Sequence, residues 1–307
     1  MSRPVICIGA AFVDELFHAK EELMPGTTNE ASLTKTAGGV SRNIAHQLAL
    51  LDVHVQLISV FGNDSDGDWL KQISEEAGVK LDGSITRAGL SGKYTGILKV
   101  DGSLFAGFIS NESAHLISPA HLEKNEELLK TASYLLADAN IGAATGEWLL
   151  AFSTQTGIPL ILEPVSVPHA KKFRNINWLG LYLVTPNEDE LPALCEKGLD
   201  TQHQIEELIA KGVHNVWFHN GNIGSAIYNK ERAIRLDAPV IEIVDCTGAG
   251  DGSLSGFILG KTLSKDDVDC LKLAHTLAAE ILQVNGAIAT HLNQEKLLAL
   301  VSKYYPE

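Results

Sequence analysis

Short apolar runs recur along this chain, and each is followed by a segment in which apolar residues return with helical period. The runs lie at positions 5–9, 55–61, 134–137, 159–162, 181–185 and 215–219. Strands that are apolar on both faces and alternate with helices are typical of a parallel sheet with helices packed on both sides. The sequence therefore predicts an α/β fold, with a mainly parallel central sheet flanked by helices.

Two stretches, about 13–36 and 88–111, break this rhythm. They carry Gly, Ser, Thr and alternating apolar residues without a helix-length period, and Asp101 followed by Gly102 is typical of a hairpin turn. We expect both stretches to pair into one small β-sheet that lies over the mouth of the main sheet, as an active-site lid does. Two unrelated surface hairpins are the alternative.

Length and composition fit one domain with an appendage. The 307 residues are 45% hydrophobic and 20% charged, so a large core can be buried, and we treat 1–307 as a single domain. The formal net charge of -14 argues against binding of a nucleic-acid polymer, which requires a basic face. An anionic substrate must then be received by a local positive site, such as a helix N-terminus with a divalent cation.

The apolar runs and the cysteines bear on the cellular compartment. The run at 5–9 is too short for a signal peptide, and no stretch approaches the ~20 apolar residues of a membrane span. Cys7, Cys195, Cys246 and Cys270 share no C-x-x-C spacing, which argues against a disulfide framework or zinc site. We expect a reduced, cytoplasmic protein with no membrane partner.

The strongest chemical signal is a glycine-rich turn between two predicted elements. Residues 240–244 predict a strand, residues 245–252 (DCTGAGDG) form the turn, and apolar residues from Leu254 onward predict a helix. Glycines let backbone amides converge, and the first helical turn adds unpaired N–H groups and partial positive charge, so an anion can bind there. Asp251 at the mouth of this anion hole is either a base that accepts a proton or a helix cap.

Three further clusters adjoin predicted strands or helices. Gly38 and Gly39 permit close approach of the backbone to a ligand, and Asn43 offers a donor and an acceptor to a polyhydroxyl substrate, although a plain turn and cap explains them equally. Asn187 and Glu190, three apart, share one face and could hold the water ligands of magnesium. The loop after His219 suits either a nucleotide contact or an ordinary hairpin.

Two runs imitate known motifs. Residues 256–262 (GFILGKT) have one residue too few for a P-loop and fall inside the predicted helix. Residues 64–75 place acidic side chains at nearly the spacing of a calcium loop, but Trp69 stands where that loop needs glycine. We expect a capped helix start at 64–75 instead.

Taken together and in this order, the clusters resemble the ribokinase-like, pfkB-type carbohydrate kinase family from residue 5 to about 292. The run 38–43 (GGVSRN) is similar to the first signature of that family, and the run 187–190 (NEDE) to its magnesium-associated motif. The run 245–251 (DCTGAGD) is similar to its second signature. The expected fold is therefore ribokinase-like.

The resemblance implies a kinase that uses ATP and Mg²⁺, and it admits K⁺ near the second signature. The implied catalytic residues are Asp251, as the base, and Gly248, Ala249 and Gly250, whose amides stabilise charge on the transferred phosphoryl group. The implied substrate-binding residues are Asp14, Gly38, Gly39, Asn43, Asp138 and Asp251. The implied nucleotide-binding residues are Asn187, His219, Gly221, Gly224, Thr247, Gly248, Gly250, His275 and Asn285. Asn187 and Glu190 are the implied residues that organise Mg²⁺ through water.

The acceptor is left open between a nucleoside and a free sugar. The runs 38–43, 136–141 (LADANI) and 163–166 (EPVS) are similar to the pseudouridine kinase branch of the family. Two positions depart from the family: Phe12 replaces the Asn of an Asn-x-Asp motif, and Glu163 replaces the Asp of an Asp-Pro pair. Phe12 either covers the substrate or belongs to the core.

The expected reaction is ATP-dependent phosphorylation of a primary alcohol of a sugar or nucleoside, pseudouridine included. A kinase of a free sugar of ribose, fructose or ketodeoxygluconate type is one alternative, and a non-catalytic sugar- or nucleoside-binding relative is another. A dehydrogenase is disfavoured because Ser253 stands where a dinucleotide fingerprint needs its third glycine. An exposed face on the lid sheet would allow a homodimer.

Overall fold

Strands and helices alternate along residues 3–110 and 114–306, the part of the chain that the structure, a computed structural model, describes. The strands in chain order are β1 (Val5–Ile8), β2 (Phe12–Ala19), β3 (Ala31–Gly38), β4 (Val55–Ile58), β5 (Val60–Gly62), β6 (Ile85–Arg87), β7 (Lys93–Leu98), β8 (Leu104–Ser110), β9 (Tyr134–Asp138), β10 (Leu160–Glu163), β11 (Leu183–Val184), β12 (Asn215–Asn220), β13 (Gly224–Tyr228) and β14 (Ala233–Asp237). The α-helices are α1 (Val40–Leu50), α2 (Ser65–Glu76), α3 (Pro119–Lys124), α4 (Glu126–Leu129), α5 (Ala143–Thr156), α6 (Val167–Phe173), α7 (Leu191–Leu194), α8 (Thr201–Ala210), α9 (Ala249–Thr262), α10 (Asp267–Leu282) and α11 (Gln294–Tyr304).

Eight strands form the central sheet in the order β14-β13-β12-β11-β10-β9-β1-β4. The strands from β12 to β4 in this order run parallel, whereas β13 and β14 close one edge as antiparallel neighbours. The predicted α/β class and mainly parallel sheet are confirmed. Parallel strands place all their carboxyl ends at one edge of the sheet, so loops from several strands meet there.

Side chains alternate across the central sheet, so each strand contributes to two cores. On β1, Ile6 and Ile8 pack into a core with side chains of α5, α6 and α8. Val5 and Cys7 pack into the opposite core with α1, α9 and α10. All four side chains are fully buried, which explains why the strand is apolar at every position.

Helices α9 and α10 approach closely because glycine lies at their interface. A Cβ on Gly256 would lie 2.6 Å from the carbonyl oxygen of Leu273, and one on Gly260 would lie 2.7 Å from Sγ of Cys270. The run 256–262 lies inside α9, as expected. Its glycines therefore serve helix packing.

Strands β3, β2, β7 and β8 pair in that order into a second sheet, which we call the lid sheet. The stretches 13–36 and 88–111 supply these strands, and the predicted small additional sheet is confirmed; Asn111 lies outside the described residues. The turn between β7 and β8 contains Gly102 at φ 81°, and the Lys99 N–H donates to the Ser103 carbonyl at 2.9 Å.

Asp64 anchors the base of the lid sheet to α2. Its Oδ1 accepts the N–H of Gly67 at 2.7 Å, which caps α2 and confirms the capped helix start. Its Oδ2 accepts the N–H of Ser91 at 2.9 Å, just before β7. Asp66, one residue into the helix, binds the ammonium groups of Lys35 and Lys93 on the lid sheet.

Two predicted strands differ in the structure. The strand predicted at 240–244 is wrong: this segment crosses the surface between β14 and α9, and Val240, Ile243 and Val244 are more than half exposed. The Val244 N–H is satisfied at 2.8 Å by the carbonyl of Leu282 at the end of α10, without a neighbouring strand. The run at 55–61 is split into β4 and β5.

Within the described ranges, no helix combines the length and apolar character that a membrane crossing needs.

Candidate active site

Asp138, the last residue of β9, joins three segments at the carboxyl edge of the central sheet. Its Oδ2 accepts the N–H groups of Ala10 and Ser41, both at 2.9 Å, and its Oδ1 accepts the N–H of Asn140 at 3.0 Å. A Cβ on Gly9 would overlap this fully buried carboxylate. Sequence reasoning assigns Asp138 to substrate binding, but the structure places both its oxygens on backbone amides, where they fix the floor of the site.

Gly38 and Gly39 bring the lid sheet against the start of α1. Gly39 is the N-cap of α1 with φ 95°, and a Cβ there would overlap the carbonyl oxygen of Ala10. A Cβ on Gly38 would overlap the carboxylate of Asp14, which belongs to β2. The glycine pair therefore makes room for the Asp14 carboxylate beside the N-terminus of α1.

Asn43 connects the N-termini of α1 and α9. Its Nδ2 donates to Oδ2 of Asp251 at 2.7 Å, and its Oδ1 accepts a hydrogen bond from Nη2 of Arg42. Arg42 also donates to the carbonyls of Ala37 at 2.7 Å and Gly38 at 3.1 Å. Two residues that are 208 positions apart, Asn43 and Asp251, thus form one pair.

Both carboxyl groups at the centre of the site have raised pKa values. Burial raises the pKa of Asp251 to about 6; Asp138 and Asp14 also raise it, whereas the Asn43 hydrogen bond and Arg42 oppose the shift. Burial raises the pKa of Asp14 to about 6 as well, against the attraction of Arg42. A carboxylate with a pKa near the working pH is suited to accept a proton in catalysis.

The glycine turn leads into α9 with Gly248, and not Asp251, as its N-cap, so the helix-cap alternative for Asp251 is wrong. Gly248 adopts φ 77°, and a Cβ there would overlap Ala287. Around the Cβ position of Gly250, in contrast, no described atom beyond its chain neighbours and the backbone of its own helix lies within 4 Å. The first-turn amides of α9, with Ala249 at its first position, have no acceptor within the helix. The turn is therefore open on the side where an anion can bind.

Asp245 holds this turn from behind. Its Oδ1 accepts the N–H of Thr247 at 2.9 Å, and its Oδ2 accepts the N–H of Gly286 at 2.9 Å. Burial acts to raise the pKa of Asp245, but the hydrogen bonds from the Gly286 amide and from the side chain and amide of Thr247 outweigh it, and the pKa is lowered. The ionised carboxylate thus ties the glycine turn to the loop after α10.

Asn187 and Glu190 form a reciprocal pair after β11. The Asn187 Oδ1 accepts the N–H of Glu190 at 3.0 Å, and Oε2 of Glu190 accepts the N–H of Asn187 at 3.1 Å. Burial raises the pKa of Glu190. Burial, and then the charges of Glu190, Asp251 and Asp138, raise the pKa of Glu163 well above its usual range. Such mutually repelling carboxylates favour a divalent cation.

The donor set fits Mg²⁺ better than a cation held by protein ligands alone. Among the residues that the structure describes, no group of three or more His, Cys, Asp or Glu side chains is arranged to hold a metal. Mg²⁺ keeps several of its waters and binds through one or two carboxylates together with substrate phosphates. Glu190 with Asn187 suits that arrangement.

His275 lies in a hydrogen-bond chain below the β12–β13 hairpin. Trp217 Nε1 donates to Ser225 Oγ at 2.8 Å, and this hydroxyl lies 2.7 Å from His275 Nε2. His275 Nδ1 lies 2.9 Å from the Tyr305 hydroxyl, which donates to the Asp237 carbonyl at 2.9 Å. Since the Tyr305 hydroxyl donates its one proton to Asp237, it must accept from His275, so Nδ1 carries a proton. Burial lowers the pKa of His275.

The other predicted nucleotide-binding residues divide into enclosed and accessible positions. His219 packs against Trp217 with ring centres 4.3 Å apart, and burial, assisted by His275, lowers its pKa to about 3. The backbone of His219 forms an isolated parallel β-bridge with that of Asn187. A Cβ on Gly224 would overlap the backbone of β14. The accessible positions are Gly221, Thr247 and Asn285, which are all exposed.

Sequence reasoning missed Arg42 and left Phe12 undecided. Arg42 is only 2% exposed, and a buried arginine requires partners. The sequence did contain a sign of this role. Arg42 is a charged residue directly before Asn43, in the first turn of a helix that the glycine pair brings close to the sheet. Phe12 is 7% exposed and overlaps the Cβ position of Gly92, so it belongs to the core.

Comparison with known proteins agrees with this geometry. Residues 2–294 match the pfkB family of carbohydrate kinases. An uncharacterized sugar kinase of Escherichia coli K12 is 29% identical over 276 residues, which cover 87% of this chain and 74% of that protein. The pseudouridine kinase of the same organism is 26% identical over 265 residues, which cover 82% of each chain.

Solved structures show the same fold. The ribokinase of Arabidopsis thaliana complexed with ribose and ATP superposes with a TM-score of 0.85 at 23% identity, covering 98% of this chain and 99% of that one. The ribokinase of Thermotoga maritima gives a TM-score of 0.86 at 21% identity, covering 97% and 99%. The fold is ribokinase-like, and the chain belongs to the pfkB family of carbohydrate kinases. It is a phosphotransferase whose acceptor is a sugar or nucleoside alcohol, and ATP and Mg²⁺ fit its site.

Proposed function

We propose that Asp251 is the general base in transfer of the γ-phosphoryl group of ATP to a primary alcohol. The observation that carries this proposal is the Asn43–Asp251 hydrogen bond at the open mouth of the glycine turn. Within the described residues Oδ1 of Asp251 has no hydrogen-bond donor, so it is available to a substrate hydroxyl, beside first-turn amides that can receive phosphate charge.

The proposed step conserves atoms and charge. Asp251 removes the proton of the substrate hydroxyl as the hydroxyl oxygen bonds to the γ-phosphorus, and the bond from that phosphorus to the bridging oxygen of ADP breaks. The amides of Gly248, Ala249 and Gly250 stabilise the negative charge on the phosphoryl oxygens. Asp14 and Asn43 orient the acceptor.

Glu190 and Asn187 would hold Mg²⁺ through water, and Mg²⁺ would neutralise charge on the phosphates of ATP. The accessible Gly221, Thr247 and Asn285 would border the nucleotide. We also propose a K⁺ site near residues 245–251, which turnover in KCl and in choline chloride at equal ionic strength would test.

The lid sheet supports a nucleoside as the acceptor. Residues opposite each other in neighbouring strands point to the same face, and Asp14 pairs with Tyr94, which pairs with Ile109. The next row on that face contains the paired Gly96 and Gly107, and the Tyr94 hydroxyl lies 2.7 Å from the Cβ position of Gly107. The Tyr94 ring therefore lies along the sheet beside Asp14. A flat aromatic surface suits a planar base, with the sugar hydroxyls at Asp14 and Asn43.

The opposite face of the lid sheet supports a homodimer. Leu33 and Phe108 lie on that face, pointing away from Asp14, and are 52% and 61% exposed. Exposed apolar residues on a small sheet favour pairing with a second copy. Sedimentation equilibrium of the protein with and without Phe108→Lys tests this; a wild type that remains monomeric would exclude the dimer.

A substrate screen tests the proposed function. We expect Mg²⁺-dependent transfer from ATP to nucleosides, pseudouridine included, with lower kcat/KM for free ribose and fructose. Tyr94→Ala should lower kcat/KM for the nucleoside by about 10-fold, the size expected for loss of one stacking contact, and leave ribose unchanged. Thr95→Ala, on the opposite face, is the matched control. Binding without transfer to any acceptor would identify a non-catalytic relative instead.

A further inference from the structure

We propose that Arg42 is a positioning residue that fixes the amide of Asn43 so that Nδ2, and not Oδ1, faces Asp251. The proposal rests on the proposed role of Asp251 as the base. It begins from an unusual placement: Arg42 lies in the first turn of α1 and is 2% exposed, whereas buried charges are costly without partners.

All the hydrogen-bond partners of the Arg42 guanidinium are neutral. Nε donates to the Gly38 carbonyl at 3.1 Å, and Nη2 donates to the Ala37 carbonyl at 2.7 Å and to Oδ1 of Asn43. Nη1 lies 3.3 Å from Nδ1 of His46. Burial lowers the pKa of Arg42 to about 10, so the group remains charged at neutral pH.

The chemistry of the guanidinium decides which way the Asn43 amide faces. A guanidinium has only donors, so the Asn43 atom that meets Arg42 must be the oxygen. The nitrogen is then directed to Asp251, which it reaches at 2.7 Å. A flipped amide would place its oxygen against the Asp251 carboxylate and its NH₂ group against Arg42, and both contacts would be repulsive. Arg42 therefore makes one of the two orientations unfavourable.

His46 contributes to the same selection. Its Nδ1 can accept from Arg42 only when the imidazole is neutral. Burial, and then the charge of Arg42, lowers the pKa of His46 to about 4. The imidazole is therefore neutral at neutral pH. Its Nδ1 can then hold the Arg42 guanidinium on the side away from Asn43.

The same side chain joins this amide to the lid sheet. Ala37 and Gly38 are the last residues of β3, and both their carbonyls accept from Arg42. One guanidinium thus fixes the base of the lid sheet and the orientation of the group that contacts the catalytic carboxylate. A positional error of about 1 Å can lower turnover by roughly 100-fold, so this connection matters for rate.

Charge near Asp251 provides a readout beyond turnover. The charged groups that act on it are Asp14 from β2, Arg42 from α1, Asp138 from β9 and Glu163 from β10. His46 acts on Arg42, and Glu190 acts on Glu163. Arg42 is the cation in this set at neutral pH. Its removal should raise the pH at which Asp251 loses its proton, because a nearby positive charge favours the carboxylate.

The test uses Arg42→Met, which keeps an unbranched side chain in place of the arginine stem and removes its donors and its charge. We expect kcat to fall about 10- to 100-fold and the acid limb of the pH profile to move to higher pH by about one unit. The KM for ATP should stay unchanged. Arg42→Lys should keep the acid limb near its wild-type position while kcat remains low, because a lysine retains the charge without the planar donor set.

Asn43→Ala completes a double-mutant cycle. If Arg42 acts through Asn43, the double variant Arg42→Met with Asn43→Ala should lose no more activity than the Asn43→Ala single variant. Arg3→Met is the matched control, since Arg3 donates to the carbonyls of Thr131 and Lys130, before β9 and at the opposite edge of the sheet from the site. Additive losses in the cycle, or an acid limb that does not move in Arg42→Met, would overturn the proposal.

Two further outcomes keep the test decisive. Should the Arg42 variants fail to fold, Asn43→Ala alone must lower kcat and move the acid limb to higher pH, and an unchanged profile would contradict the proposal. Should the wild type transfer phosphate to no acceptor, the proposed function fails, but urea unfolding of the same four proteins still measures the coupling between positions 42 and 43. Zero coupling there would exclude the positioning role on its own.

Discussion

The two helices that meet at the site, α1 and α9, both begin at a glycine turn, yet the turns differ in what surrounds them. At the start of α1, neither Gly38 nor Gly39 has room for a Cβ, because Asp14 and Ala10 occupy the space. At the start of α9, Gly248 is similarly enclosed, but Gly250 faces open space. The α1 turn is shaped by the protein itself, whereas the α9 turn leaves room for something that the protein binds.

The largest effect should come from the carboxylate of the α9 turn. We expect Asp251→Asn to lower kcat by about 100- to 10,000-fold with little change in substrate binding, as for loss of a general base. Steady-state kinetics together with thermal-shift titration of substrate checks this. Asp68 is an exposed acid on α2, so the kcat of Asp68→Asn should equal that of the wild type. If Asp251→Asn kept near-normal turnover, the α9 turn would take no more part in the chemistry than the α1 turn.

Substitution in the α1 turn should lower the free energy of unfolding, not the rate of the chemical step. Gly39→Ala combines a φ of 95° with overlap on the Ala10 carbonyl, so the free energy of unfolding should fall by about 3 kcal/mol. Gly26→Ala separates the two causes, because Gly26 has φ 80° and no atom within 4 Å of its Cβ position. Its expected cost is about 1 kcal/mol. Equal urea midpoints for the two variants would show that crowding at Gly39 is unimportant.

Removal of the carboxylate should change stability in opposite directions at Asp251 and at Asp138 at pH 7.5. The pKa of Asp251 is raised to about 6, so its contribution to stability is present below ~4 and is lost as pH rises through 6. Asp251→Asn should therefore stabilise the protein by ~2 kcal/mol at pH 7.5 and by nothing near pH 4. Asp138→Asn should destabilise at pH 7.5, because it replaces one of two oxygens that accept backbone N–H groups with an NH₂ group, which can only donate. Urea unfolding at both pH values checks the pair, and the same sign for both variants would contradict it.

The smallest effect should be at Gly250. An added methyl has no protein neighbour there, so Gly250→Ala should leave the free energy of unfolding within about 0.5 kcal/mol of wild type. It should raise the KM for ATP, or lower kcat, by roughly 10-fold because the methyl enters the space for the phosphate, a change of about 1.4 kcal/mol. Unchanged kinetics with ATP would show that the open side of the turn is not where the nucleotide binds.

Periodicity was enough for the architecture because parallel strands are apolar on both faces, as Val5 to Ile8 show. Periodicity gave the wrong result at 240–244, where the apolar residues are exposed on the segment between β14 and α9. A run of β-branched residues does not show whether a neighbouring strand exists. The glycine turn and Asp251 were visible as local patterns.

The hydrogen-bond partners in the site were not visible in the same way. Arg42 was missed because its contacts are set by burial, and burial depends on how the lid sheet meets α1. For Asp138 the pattern could indicate a carboxylate at a strand end but could not show which groups it binds. Two backbone amides from distant segments, those of Ala10 and Ser41, join the local amide of Asn140 on it only in the folded chain.

The Asn43–Asp251 hydrogen bond also has a consequence for folding. It closes a loop of 208 residues, and the contacts of Asp138 with Ala10 and Ser41 close loops of 128 and 97. Contacts between such distant positions form slowly and depend on prior assembly of the sheet between them. During synthesis Asp251 therefore meets Asn43 only after α9 has emerged, so a growing chain does not hold this pair, which we propose to be catalytic, until most of its length is made.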